Sequence, residues 1–232
     1  FKHTNGHTAF KLNQGARVIF GNHSNVQITG QNIFSFSDHG RLQTGQGSLI
    51  RVTQKGNGNI VDMGRNSAFV VGQRSQFLAT SDEHRTPGSN YEENNLIGLD
   101  GNSEIIIEES AKLVLDAKNH QWNTKTKSQY GYYNDLVNIN AKGQETALLH
   151  VKDNATLDLR TDNRNYYAEV ISIPLSGNHP DRKFIFDHAY YVNLQKMNIV
   201  VSGESVKPVG KKPNLIFMSP KSPGHFQWNG SY

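Results

Sequence analysis

Five stretches of the chain superimpose on one another, and that self-similarity limits the fold more than any single motif. With Val26, Phe77, Leu113, Leu157 and Val192 as anchors, Ile28, Ala79, Leu115, Leu159 and Leu194 stand two residues on. Six residues before the anchors stand Phe20, Val71, Ile107, Val151 and Phe186, and eight before stand Val18, Phe69, Ile105, Leu149 and Phe184. Each copy therefore reads apolar-x-apolar, a polar break, then apolar-x-apolar. The breaks are residues 21–25, 72–76, 108–112, 152–156 and 187–191. Alternation with period two marks half-buried strands, and its recurrence at intervals marks stacked repeats.

A third strand precedes each pair. Phe10 and Leu12, Val61 and Met63, and Ile97 and Leu99 supply it in the first three copies. Val137 with Ile139 and Ile171 with Ile173 supply it in the last two, after a longer turn. Three short strands joined by turns make one triangular coil, which cannot bury its apolar face alone but shares a core with coils above and below. The pattern predicts an all-β, right-handed parallel β-solenoid. Successive anchors lie 51, 36, 44 and 35 residues apart, and the variation falls between the third strand of one coil and the first strand of the next. Variable loops are therefore expected at one corner, where repeat proteins present binding surfaces. The first interval is long enough for another, irregular coil, with Ile33, Phe34, Phe36, Leu49, Ile50 and Val52 as its apolar residues.

The solenoid is expected over residues 1–205. Residues 206–232, with four of the seven prolines, read as a C-terminal cap or linker. The chain opens at Phe1 without a signal peptide, so it reads as an excised domain or mature fragment. A mean hydropathy of −0.61 suits a slender solenoid with much surface per residue. Without cysteine there is no disulfide, zinc–thiolate site or cysteine nucleophile. No apolar run is long enough to span a membrane as a helix. Net charge of +4 favours acidic partners. Nucleic acid is not expected, because no recognition helix, zinc finger or aromatic RNP motif is present.

Residues 94–119, NNLIGLDGNSEIIIEESAKLVLDAKN, and residues 135–163, DLVNINAKGQETALLHVKDNATLDLRTDN, carry a strand, a turn and then a D/G-N-A/S-x-L-x-L strand. In this idiom the chain resembles the pectate-lyase-like β-helix domains of lactobacilli and related Gram-positive surface adhesins, the binding regions of serine-rich-repeat and mucus adhesins. The resemblance covers roughly residues 55–200. It implies a monomeric module of a larger, anchored protein, extracellular on the bacterial cell surface. It also implies binding to host or plant glycans (acidic polysaccharide, mucin-type chains or glycosaminoglycan) without catalysis.

The residues point the same way. The loop KNHQWNTKTKSQYGYY holds Lys118, His120, Trp122, Lys125, Lys127 and Tyr130, and the next loop holds Arg160, Arg164, Tyr166 and Tyr167. Aromatic faces stack on sugar C–H surfaces, and guanidinium and ammonium groups meet carboxylates and sulfates. These ten residues are the candidate ligand-binding set. An aromatic residue in such a loop also has a plain packing role against the solenoid wall, and the interleaving with cations is what favours binding. A third loop, with His84, Arg85 and Tyr91, extends the same corner or is simply solvated.

The alternative is a polysaccharide lyase or glycoside hydrolase acting on uronic-acid polymers. Such an enzyme needs carboxylates converging on one wall. The doublets Asp82/Glu83, Glu92/Glu93 and Glu108/Glu109 do not supply them, because adjacent strand residues face opposite ways. Glu108 and Glu109 occupy the recurring turn. No catalytic residue, cofactor or metal site is assigned, since the ten histidines show no ligand spacing. The sequons at Asn22, Asn154 and Asn229 are explained by turn chemistry, two of them lying in the polar break.

Overall fold

The computed structural model describes residues 8–55, 58–81, 96–117, 137–141, 144–161, 171–172, 182–187, 191–194 and 225–229. Six coils of three strands follow one another. They are β1 (Thr8–Leu12), β2 (Arg17–Ile19) and β3 (Asn25–Gly30); β4 (Asn32–Phe36), β5 (Arg41–Gln43) and β6 (Leu49–Gln54); and β7 (Val61–Met63), β8 (Ala68–Val71) and β9 (Gln76–Ser81). Then come β10 (Ile97–Asp100), β11 (Ser103–Ile107) and β12 (Lys112–Ala117); β13 (Val137–Asn140), β14 (Ala147–Val151) and β15 (Thr156–Thr161); and β16 (Ile171–Ser172), β17 (Arg182–Asp187) and β18 (Tyr191–Leu194). A last strand, β19 (His225–Asn229), pairs with β17. Strands β1, β4, β7, β10, β13 and β16 form the first sheet. The second runs β2, β5, β8, β11, β14, β17, β19, and the third runs β3, β6, β9, β12, β15, β18. Every pairing is parallel, so the chain is a parallel β-solenoid, and no helix occurs among the described residues.

The sequence anchors are the register of the third sheet. Phe77 pairs with Leu113, Leu113 with Leu157 and Leu157 with Val192. Inward residues alternate with outward ones. Phe69, Ile105 and Leu149 from the second sheet meet Val61, Ile97 and Val137 from the first and Phe77, Leu113 and Leu157 from the third, all fully buried. Two aromatic contacts add to the area burial. Phe10 stacks on Phe34 with centroids 5.1 Å apart, and Phe69 meets Phe77 edge to face at the same distance.

One expectation changes. Residues 29–60 hold a regular coil, β4–β6, in full register with its neighbours: Val26 pairs with Ile50 and Ile50 with Phe77. Its apolar-x-apolar signature is broken at one point, where Thr44 takes the place held by Val71 and Ile107 in later coils. The Thr44 side chain is buried, and its hydroxyl accepts the Gly72 N–H at 2.8 Å. That bond removes the cost of an unpaired buried hydroxyl.

The corner between second and third sheets is tight throughout the described coils, and the corner between first and second is tight in the first four. Both then turn on a left-handed residue, whereas residues 141–146 separate β13 from β14 and residues 173–181 separate β16 from β17. His23, Gly47, Arg74, Ser110 and Asn154 fill the column between second and third sheets, with φ of 55° to 64°. Gly15, His39, Asn66 and Asn102 fill the column between first and second. The N–H of the left-handed residue continues the ladder into the next coil, as Gly47 to the Gln73 carbonyl at 3.0 Å, Arg74 to Glu109 at 3.0 Å and Ser110 to Asp153 at 2.9 Å. Polar corners therefore satisfy their backbone groups without interrupting the stack. Coils approach so closely here that a Cβ on Gly45 would lie 2.5–2.6 Å from backbone atoms of Gly21 and Asn22. Side chains complete the packing. Ser48 and Ser75 bond back to the carbonyls of Gly21 and Gly45, at 2.7 and 2.5 Å.

The third corner has no such rule. It takes one residue between β3 and β4, residues 82–96 between β9 and β10, residues 118–136 between β12 and β13, and residues 162–170 between β15 and β16. The third corner varies most, and the first corner also lengthens in the last two coils, to residues 141–146 and 173–181.

Candidate functional site

Parallel pairing fixes where the long loops are rooted. Ser81 pairs with Ala117 and Ala117 with Thr161, so the three loops leave adjacent strands of the third sheet. They re-enter adjacent strands of the first sheet, where Ile97 pairs with Val137 and Val137 with Ile171. Of the candidate ligand-binding residues, Lys118, His120, Trp122, Lys125, Lys127 and Tyr130 fall in residues 118–136, and Arg164, Tyr166 and Tyr167 in residues 162–170. All nine lie outside the described residues. Arg160 is in β15 with its backbone opposite Asp116 of β12, and its side chain is also outside what is described.

Beside this corner the outer face of the first sheet is a polar wall. Ser35, Asp62, Gly98 and Asn138 occupy one row across four coils, and Asp100 and Asn140 occupy the next row along the strands. Strand alternation puts these residues outward because their neighbours Val61, Met63, Ile97 and Leu99 are buried. The Asp62 carboxyl is raised above the usual carboxylate range, mainly by desolvation against the sheet and further by the Asp100 carboxylate, against the opposing effect of hydrogen bonds from Asn59 and Ser35. Sequence reading missed this pair. It looked for carboxylates as neighbours along the chain, whereas Asp62 and Asp100 are neighbours across coils.

A group whose folded pKa is raised binds its proton more tightly when folded. Stability then falls as pH rises through the window between the unfolded value, about 3.9, and the higher folded one. Asp62→Asn is therefore expected to raise the melting temperature slightly at pH 7 and to leave it unchanged near pH 3. Melting curves at the two pH values check this, and a gain at pH 3 equal to that at pH 7 would contradict the linkage.

Glu108 and Glu109 sit in the turn between β11 and β12. Glu108 is held by Lys152 at 2.8 Å and Glu109 accepts from Gln73 at 2.8 Å. Asp82, Glu83, Glu92 and Glu93 lie outside the described residues. Among the described residues no three histidine or carboxylate side chains converge as a metal site would require. Asn22 and Asn154 are turn residues. The Asn22 side chain accepts the Gln46 N–H at 2.9 Å, and Asn154 is left-handed.

The chain matches no family model, no curated protein and no solved structure.

Proposed function

We propose that this chain is a bacterial surface adhesin domain that holds glycans at its variable corner without cleaving them, with acidic polysaccharide, mucin-type chains and glycosaminoglycan as the ligand class. The observation that carries the reading is the rooting of three long loops on adjacent strands, next to a polar wall that runs along the coils. The sequence concentrates Trp122, five tyrosines (Tyr130, Tyr132, Tyr133, Tyr166 and Tyr167) and the cations Lys118, Lys125, Lys127 and Arg164 in two of those loops. A linear polymer lying along the solenoid axis meets one loop after another, so several weak contacts act on one chain.

Asp62 and Asp100 favour a second reading, a hydrolase or lyase working on uronic-acid polymers. Carboxylates on neighbouring strands, one with a raised pKa, are the arrangement acid–base cleavage uses. One experiment separates the two. Parent, Trp122→Ala, Arg164→Ala and Asp62→Asn are each tested for binding to polygalacturonate and mucin and for release of reducing ends or unsaturated uronides. The adhesin reading expects binding without product. It expects a loss of about tenfold in Trp122→Ala, as for stacking on an aromatic face, and a smaller loss with a weaker salt dependence in Arg164→Ala. Turnover by the parent that disappears in Asp62→Asn would replace the adhesin reading with the enzyme.

A further inference from the structure

The outer face of the second sheet carries two arginines side by side. Arg17 of β2 pairs in register with Arg41 of β5, so their guanidinium groups leave the sheet from neighbouring strands. Like charges directly opposite on one face repel. Elsewhere on the surface a cation meets a carboxylate from another coil, as Arg65 meets Glu145 at 3.0 Å and Lys152 meets Glu108 at 2.8 Å. Among the described residues neither Arg17 nor Arg41 has an acidic partner. Arg41 donates only its Nε, to Gln43 Oε1 at 2.9 Å. That bond fixes the plane of the guanidinium and leaves its two terminal nitrogens unused.

A cavity of about 590 Å³ opens beside the pair, lined by Arg17, Arg41, Ala68 and Glu104 among others. A second, of about 580 Å³, adjoins it, with Arg41 in both linings. Ala68 and Val70 alternate with the inward Phe69 and Val71, yet they are only 9% and 3% exposed. The first cavity is a hollow walled by Arg17, Arg41 and Glu104. Along its row the order is Arg17, Arg41, Ala68, Glu104. Glu104 stands two strands from Arg41, about 10 Å at the usual strand spacing, and makes no ion pair with it.

We propose that this hollow binds the anionic group of an acidic sugar, a uronate carboxylate or a sugar sulfate. Arg17 and Arg41 grip the anion, and Glu104 accepts a hydroxyl of the next residue. Two guanidinium groups on adjacent strands present parallel N–H donors, the geometry that carboxylates and sulfates accept in pairs. The anion removes the repulsion between the arginines, so binding and relief of strain act together. Glu104 gives the site a direction, since a second anionic group at that end is repelled. The assignment rests on the glycan reading for its ligand class, but it occupies a different sheet from the loop corner.

The test follows the side-chain Nε–Hε signals of Arg17 and Arg41 by NMR in the full chain. Trigalacturonate, a sulfated disaccharide, a neutral trisaccharide and sodium sulfate are titrated separately. Saturable shifts of both signals with an acidic sugar, absent with the neutral one, are the expected result, and the tighter of the two acidic ligands identifies the source of the anion. Arg17→Gln/Arg41→Gln should weaken that ligand by at least about tenfold, the loss of a charge-assisted pair, while melting at the parent temperature or above it. Arg41→Lys should recover part of the affinity through charge alone. No shift in either arginine, or equal affinity in the double variant, overturns the site. Sodium sulfate binding as tightly as the sugars overturns the sugar assignment. Trp122→Ala separates the two proposals, because failure of the loop site leaves the arginine signals responding and failure of the hollow leaves polymer binding sensitive to Trp122.

Discussion

Leu157→Asp is expected to abolish folding. Leu157 is fully buried in β15, an inner strand of the third sheet, paired with Leu113 on one side and Val192 on the other. Removing the leucine side chain alone costs about 2–5 kcal/mol in a packed core. A carboxylate in its place adds the desolvation of an unpaired ion, several kcal/mol more even after relaxation, or else holds its proton at neutral pH at a similar cost. Together these match the whole stability of an ordinary domain, about 5–15 kcal/mol. A solenoid has no second core to fall back on, because each coil is supported only by its neighbours. Circular dichroism and thermal melting are the checks. A soluble variant with a cooperative transition at the parent temperature would show that Leu157 does not face the interior.

Phe77→Ala should give the next largest loss, about 3–5 kcal/mol, while leaving a folded protein. Phe77 is fully buried and its ring meets Phe69 edge to face with centroids 5.1 Å apart. It joins the second and third sheets across the inside of the third coil, so truncation leaves a cavity that rigid strands cannot close. Phe69→Ala removes the same ring contact. The double variant should therefore cost less than the two single losses together, by about the 0.5–1.5 kcal/mol of the aromatic pair. Urea unfolding of the four proteins measures the coupling, and strict additivity would mean the rings share a core without acting on each other.

The solenoid was legible in the sequence because burial imposes a period. Phe77, Leu113, Leu157 and Val192 are in register in the structure as they are in the alignment of copies. The coil at β4–β6 was harder to see. Its Leu42 is followed by Thr44 where the template asks for an apolar residue, and only the fold reveals that Gly72 satisfies the hydroxyl. Outward positions carry no such period. Ser35, Asp62, Gly98 and Asn138 form one row but share no residue type, so nothing along the chain marks them as neighbours. Arg17 and Arg41 escaped notice for the same reason, since only pairing between coils joins them. The nine loop candidates rest on chemistry and clustering alone, because a loop outside the repeat has no partner position to be checked against, whereas Arg160 falls inside β15, opposite Asp116.

The unequal corners have a consequence for how such a molecule can be altered. At the corner between second and third sheets a left-handed residue bonds to the coil beyond and the spacing is the same from coil to coil, so one residue more or less would break the ladder. At the third, a single residue joins β3 to β4 while residues 118–136 join β12 to β13, and the pairing on either side is the same. Closing a longer loop costs little, about 0.6 kcal/mol for each doubling of its length. The third corner is thus a set of exchangeable sockets. A segment of foreign length or sequence can be spliced between β9 and β10, or between β12 and β13, with the register of the scaffold held by the strands alone.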